Sequence, residues 1–248
     1  MRGGEKVRLW MKRLRRSSAG PALTLPSLPG TWISATSLII SPVLFLVGEV
    51  LRIGAAYPFS DQLSFYADHK GLMSISYGIS ALSLMLMWPG VLAVAHLIGH
   101  TRPAWSVAGG TLVITGLLVN TFHEGMNLMA FRMVEELGTD TATGAVAGSY
   151  ADPYLIYPLV FADNLGWIVL AVGAYLSRTL GWLRSLGLLI MCAHVSGLLK
   201  GATALGVFYD VGLCAAFIPL GVSLLRHRMQ SRRASVEVAA NQDHSSHS

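Results

Sequence analysis

Four polar side chains interrupt an apolar run of the sequence, LLVNTFHEGMNLM at residues 117–129. They are Asn120, His123, Glu124 and Asn127. On an α-helix these positions follow the i, i+3, i+4, i+7 pattern and lie within an arc of about 100°. The spacing therefore predicts one polar face, with Glu124 as a candidate general acid and His123 as a base or orienting group.

The same stretch comes close to a known metal motif without matching it. The zinc-protease motif H-E-x-x-H needs a second histidine four residues after the first, and Asn127 occupies that position. Asparagine is a poor zinc ligand, and no spacing demands the alternative, a metal held by His123, His194 and carboxylates from other helices. We therefore expect no metal and no cofactor.

Long apolar runs must position these side chains. Of the 248 residues, 53% are hydrophobic and only 12% are charged, about half the charged fraction of a soluble domain. The runs predict an all-α polytopic membrane protein, a bundle of six transmembrane helices. The six spans are expected at about residues 32–53, 72–97, 105–129, 154–176, 180–199 and 202–225.

Basic residues predict how the chain is oriented. If both termini are cytoplasmic, 14 of the 18 Lys and Arg residues lie on the inner side, as the positive-inside rule requires. The chain then divides into a basic cytoplasmic tail (1–30), the transmembrane domain (31–226) and a polar, disordered tail (227–248). We expect a multi-pass protein of the cell membrane, with a retained first span rather than a cleaved signal peptide.

Ionisable residues inside the predicted spans are rare and are expected to face the protein interior. Besides His123 and Glu124 they are Glu49, His96, Asp163, His194 and Asp210. All except His96, which lies at an inner span end beside His100, fall in the middle-to-outer part of the membrane. We therefore predict a polar cavity toward the outer side. The expected catalytic residues are His123, Glu124 and Asp163, and the expected substrate-binding residues are Asn120, Asn127, Asn164, His194 and Asp210.

Several of these residues also have a purely structural interpretation. Glu49 and Arg52 are spaced i, i+3 and can pair near the interface. Asp163 and Asn164 can hold helices together by hydrogen bonds. A buried histidine such as His194 is often satisfied within the core, and Asp210 can snorkel toward water or pair with Lys200. The sequence leaves these alternatives open.

Residues 31–225 resemble the small six-span membrane proteins of unknown function that are common in high-GC Gram-positive bacteria, the actinobacterial type. The features that carry the resemblance are a first span that ends in VGEVLRIGAAYPFSDQ, DHKGLMSISYG and WPGVLAVAHLI at the ends of the second, and RPAWSVAGGTLVITG at the start of the third. The resemblance implies a fold and a location, and it implies no activity.

Three functions are compatible with these observations. The first is a membrane-embedded enzyme on a lipid-like or isoprenoid substrate, with a buried carboxylic acid as proton donor. The second is a carrier or antibiotic self-protection protein that binds a hydrophobic small molecule, and a six-span carrier would favour a homo-oligomer. The third is a non-catalytic assembly partner. The lipid bilayer is the expected partner in each case, and nothing in the sequence indicates nucleic-acid binding.

Overall fold

The computed structural model describes residues 30–55, 59–151, 156–195 and 203–245. Eight α-helices and no strand occur in this part of the chain. Their bounds are α1 Thr31–Leu51, α2 Phe59–Asp68, α3 Lys70–Gly99, α4 Pro103–Leu137, α5 Thr139–Ala151, α6 Ile156–Leu176, α7 Trp182–Val195 and α8 Thr203–Ser245.

Four helices are long and apolar enough to cross a membrane: α1, α3, α4 and the Ala204–Arg232 part of α8. Shorter apolar stretches, Phe161–Leu176 and Trp182–Ala193, lie in α6 and α7, which correspond to the predicted fourth and fifth spans. Many large apolar side chains on these helices are exposed, as on a surface that faces lipid. The prediction of an all-α protein with several membrane-spanning helices is confirmed at this level.

The long helices pack in a closed ring that follows the chain order. Helix α1 contacts α3, α3 contacts α4, α4 contacts α6, α6 contacts α7, α7 contacts α8, and α8 returns to α1. One apolar core cluster fills the ring and includes Leu38, Val91, Val113, Trp167 and Phe217. The ring therefore gives every spanning helix one face toward a shared interior.

The structure differs from the prediction outside the predicted spans. Residues 54–71 and 134–153 lie between the predicted spans, and they contain the helices α2 and α5. Both short helices contribute apolar side chains, Leu63 and Tyr66 from α2 and Ala142 from α5, to a second core cluster. Tertiary burial thus stabilises helices that local sequence does not indicate.

Two spanning helices also run past their predicted ends. Helix α4 continues beyond the predicted limit at residue 129 to Leu137. Helix α8 continues to Ser245, into the segment 227–248 for which composition predicts disorder. Extending an existing helix costs less than starting one, and the Ala, Arg, Glu and Gln residues of this segment favour the helical state.

Pro89 lies inside α3 and is accommodated by a serine of the neighbouring helix. The Gly90 amide donates a hydrogen bond to Ser37 Oγ at 2.8 Å, and Ser37 Oγ donates to the carbonyl oxygen of Leu86. Gly90 and Leu86 are four residues apart, so the Ser37 hydroxyl bridges the donor and acceptor of one helical hydrogen bond. Helix breaks in membranes persist where a neighbour satisfies the freed backbone groups in this way.

Candidate functional site

The predicted polar face of α4 points into the bundle. Glu124 and Asn127 are buried, and Asn120 and His123 are half-buried. The large apolar side chains on the opposite face of the helix are exposed: Leu118, Phe122 and Met129. The 3.6-residue periodicity therefore correctly indicated which side of this helix faces protein and which faces lipid.

Asn120 of α4 and Asp163 of α6, the next helix of the ring, form the first polar group. The Asn120 Nδ2 donates a hydrogen bond to Asp163 Oδ2 of α6 at 2.7 Å. The Asp163 side chain is almost fully buried, with 1% of its surface exposed, and its Oδ1 makes no hydrogen bond within the described residues. Trp167 lies one turn further along α6, and its buried indole N–H interacts with the Asp163 carboxyl group. One carboxyl oxygen is thus held in place and the other is available to carry a proton.

Glycines make the close approach of α4 and α6 possible. A Cβ atom at Gly116 would lie 2.0–2.2 Å from side-chain atoms of Asp163. A Cβ atom at Gly166 would lie 2.7 Å from the Val113 amide nitrogen, and one at Gly109 would lie 2.9 Å from the amide nitrogen of Leu170. Small residues at such positions let helix backbones pack directly against each other. Because Gly116 has no side chain, the Asp163 carboxyl group can lie directly against α4.

Arg52 is the centre of a second polar group. It follows the last residue of α1 and donates a hydrogen bond to Glu49, one turn earlier. Its Nη1 lies 4.0 Å from Glu124 Oε1 of α4, and its guanidinium carbon lies 4.7 Å from the centre of the Tyr77 ring of α3. The Arg52 and Glu124 side chains are each only 12% exposed, so both charges are largely removed from water.

Asp210 of α8 adds a third carboxyl group to this centre. It is completely buried and interacts electrostatically with Glu49 and Arg52. Glu49 of α1 and Glu124 of α4 thus lie beside the Arg52 guanidinium, and Asp210 of α8 adds a buried carboxyl group that interacts with it electrostatically. We call the set Glu49, Arg52, Glu124 and Asp210 the Arg52 cluster. Taking such charges out of water is costly unless they pair, and the cluster pairs them around a single cation.

Aromatic residues connect the Arg52 cluster to helix α2. The Tyr77 hydroxyl donates a hydrogen bond to Gln62 of α2, and the Tyr77 ring packs edge-on against Phe131 with centroids 5.1 Å apart. Phe131 also stacks on Tyr66 of α2 at 4.2 Å, and Tyr66 donates a hydrogen bond of 2.9 Å to Glu135. Helix α2 is thereby tied to α3 and α4 above the buried charges.

The expected site residues thus fall into two groups rather than one. Asn120 and Asp163 form the first group, and Glu124 and Asp210 belong to the second. Since Asn120 and Glu124 are four residues apart on α4, the groups are separated by about 6 Å along that helix. The remaining expected residues take other positions. Asn127 lies buried about one turn past Glu124, and Asn164 is buried next to Asp163 in the chain. His123 is half-buried and has interactions of its own, whereas the His194 side chain lies outside the described residues.

Sequence reasoning missed the central role of Arg52 and the contributions of Tyr77 and Gln62. The i, i+3 spacing of Glu49 and Arg52 was visible, but it indicated only a local ion pair. Nothing in the pattern of α3 or α2 marks Tyr77 and Gln62, because their role depends on which helices meet. Both predicted structural roles of Glu49 and Arg52, pairing and a position near a span end, agree with the contacts observed.

Among the described residues, the two polar groups offer neither a metal site of three or more ligands nor a paired thiol. Within the described residues no group of three or more His, Cys, Asp and Glu side chains is arranged to hold a metal ion. Cys192 and Cys214 are free thiols on α7 and α8. The chemistry that the site offers is therefore that of carboxyl groups, an amide, a guanidinium and aromatic rings.

Comparison of the chain with protein-family models, with curated proteins and with solved structures gives no match. The case for a function therefore depends on the geometry of the two polar groups.

Proposed function

We propose that the protein is a six-span carrier for a hydrophobic small molecule, with both termini on the cytoplasmic side and with exchange linked to protonation of buried carboxyl groups. The observation that carries the proposal is the Arg52 cluster. Glu49 and Glu124 lie beside one guanidinium, and the buried carboxyl group of Asp210 interacts with it electrostatically, so charged groups of three helices are coupled inside the bundle. Ionisable groups at this depth are costly, and in membrane proteins they mark pathways for ions, protons and substrates.

The charge balance of the cluster is the reason for linking it to protons. If all three carboxyl groups were ionised, the four side chains of the cluster would carry a net charge of minus two. Low dielectric makes such an excess expensive, so protons or a bound cationic group are expected to reduce it. A ligand that brings positive charge would displace protons, and loss of the ligand would readmit them.

The position of the cluster in the ring also favours a carrier. Helices α1 and α8 are neighbours in the ring, whereas α4 is separated from α1 by α3. The cluster therefore connects opposite sides of the shared interior, and a change in its charge would alter the contact between these helices. Alternating access requires a two-state contact of this kind at the binding site.

The test is identification of what the protein binds, followed by transport. Gently purified wild-type protein is compared with Glu124→Gln and with Glu136→Gln, an exposed glutamate on the same helix, by native mass spectrometry at about pH 5.5 and about pH 7.5. We expect a small molecule in the wild type and in Glu136→Gln, with an occupancy that depends on pH, and its loss in Glu124→Gln. Reconstituted protein should then move that molecule along a pH gradient.

Two results would contradict the carrier. Empty protein under all conditions would favour the assembly role, in which the polar groups only fix helix packing. A bound molecule that is never moved across vesicles, at any pH gradient, would favour binding or chemistry over transport. The resemblance to small six-span bacterial membrane proteins stays a prediction and adds location rather than activity to this proposal.

A membrane-embedded enzyme on an isoprenoid or lipid-type substrate is the second candidate, and the Asp163 group favours it. Asn120 holds one carboxyl oxygen at 2.7 Å, and the other makes no hydrogen bond within the described residues. This is the arrangement of an oriented proton donor. Asp163→Asn keeps the size of the side chain and removes the acid. Lost turnover of a co-purifying isoprenoid with unchanged thermal stability would support the enzyme, and lost stability alone would support a packing role.

A further inference from the structure

Two histidines form a close pair at the inner end of α3. His96 lies in the last turn of the helix, and His100 is the residue that follows its end. Both side chains are exposed. Their Nε2 atoms are 3.2 Å apart, whereas their ring centres are 4.8 Å apart. The Nε2 edges are therefore the nearest parts of the two rings, and solvent can reach them.

The spacing of the pair is one that zinc proteins use. Two histidines at i and i+4 share one face of a helix, and zinc proteases present two of their three ligands this way. Two nitrogen atoms bound to a tetrahedral zinc ion at about 2.0–2.1 Å are about 3.3–3.4 Å apart. The observed separation of 3.2 Å, at which the two nitrogens share a hydrogen bond without zinc, is close to this value. The His-x-x-x-His spacing that fails at His123 and Asn127 is thus met at the other end of the bundle.

The end of a helix is also a favourable place for a cation. The carbonyl groups of the last turn carry partial negative charge and lie toward the C-terminus of the helix dipole. A metal ion held by His96 and His100 would sit at this end of α3. The pair lies 19 residues after Tyr77 on the same helix, about 28 Å away along the helix axis, so it is separate from the Arg52 cluster.

We propose that His96 and His100 form a Zn²⁺ site at the inner end of α3, with two imidazole Nε2 ligands and water in the remaining positions. No third protein ligand occurs at this pair within the described residues. A site with open positions suits exchangeable binding rather than a permanent structural ion. The proposal is independent of the carrier, since it uses no residue of the two polar groups.

Zinc titration of the full-length protein tests this site. Purified protein is titrated with Zn²⁺ against a chromophoric chelator, and wild type is compared with His96→Ala and His100→Ala. Removing a direct ligand should lower the affinity for one Zn²⁺ per chain by at least about tenfold. Removing a residue that only hydrogen-bonds to a metal ligand already lowers metal affinity by about that much. His69→Ala, an exposed histidine near the start of α3 with a backbone contact to Phe65, should bind as wild type does.

Two further comparisons keep the result unambiguous. A His244→Gln/His247→Gln variant tests the histidines near the end of the chain, and it should retain the same ion. Thermal unfolding with and without Zn²⁺ should show stabilisation in wild type that both alanine variants lose. Unchanged zinc affinity in His96→Ala and His100→Ala, or loss of the ion in the variant lacking His244 and His247, would overturn the proposal. The first outcome would leave the pair as two imidazoles that share a hydrogen bond.

Discussion

Replacing Gly116 by alanine is the sharpest test of how the Asp163 group is built. The added Cβ atom would lie 2.0–2.2 Å from Asp163 atoms, where ordinary contact begins at 3.4 Å. The two helices would have to separate locally by more than 1 Å, or the Asp163 side chain would have to leave its place. Asp163 cannot move far without losing its 2.7 Å hydrogen bond to Asn120.

The expected cost follows from these two losses. Overpacking a close interface costs about 1–3 kcal/mol, and a lost hydrogen bond adds about 0.5–1.5 kcal/mol. Alanine also favours the helix over glycine by about 1 kcal/mol, which masks part of the effect. Gly125→Ala cancels that gain as a matched control, because Gly125 lies on the same helix, is exposed, and has no atom within 4 Å of its would-be Cβ.

The difference between the two variants therefore isolates the contact with Asp163. It is expected to be about 2–4 kcal/mol, or about 4–16 °C in unfolding midpoint for a chain of this size. Thermal unfolding of both variants in the same detergent, followed by tryptophan fluorescence, measures it. Equal midpoints for Gly116→Ala and Gly125→Ala would refute the close packing of α4 against Asp163.

Three further changes test other contacts. Ser37→Ala should lower the free energy of unfolding by about 1–3 kcal/mol, because it removes the two hydrogen bonds of Ser37 Oγ to the Gly90 amide and the Leu86 carbonyl beside Pro89. Ser34→Ala, without such a bridge, should cost less. Arg52→Met should cost about 3–5 kcal/mol or abolish folding, since it removes the cation beside buried carboxyl groups. Arg132→Met at an exposed pair should cost at most about 1 kcal/mol. The yield of monodisperse protein and its unfolding midpoint measure both effects. Burial, and then a hydrogen bond to a glutamate of α4, raise the pKa of Tyr66 above its ordinary value of 10.0. The folded protein therefore keeps a proton that the unfolded chain loses, so its stability should fall as the pH rises above about 10. This fall should be smaller in Tyr66→Phe, as unfolding midpoints measured across that pH range would show.

The polar face of α4 illustrates what could be predicted from the sequence. Helix geometry is local, so the spacing of Asn120, Glu124 and Asn127 correctly indicated that these side chains point away from lipid. The same reasoning indicated that Asp163 and Asp210 lie inside the bundle, and both are buried. The depth argument also placed His96 apart from the others, at the inner end of its span.

The partners of these side chains could not be predicted in the same way. Which carboxyl group lies beside Arg52 depends on the order of the helices in the ring and on their relative positions along the bundle axis. The periodicity of a single helix indicates neither of these. The two short helices α2 and α5 escaped prediction for a related reason. Their apolar side chains stabilise them only when Phe131 and its neighbours are present to pack against.

From the sequence alone followed an all-α protein with several helices apolar enough to span a membrane, and the buried face of α4. These properties follow from hydrophobic burial and from 3.6 residues per turn, which act within a single segment. Only the folded structure shows that Asn120 holds Asp163, that Ser37 hydrogen-bonds the backbone of α3 beside Pro89, and that Glu49 and Glu124 both lie beside Arg52. Such contacts join segments far apart in the chain, and they exist because glycines such as Gly116 allow two helix backbones to approach closely enough.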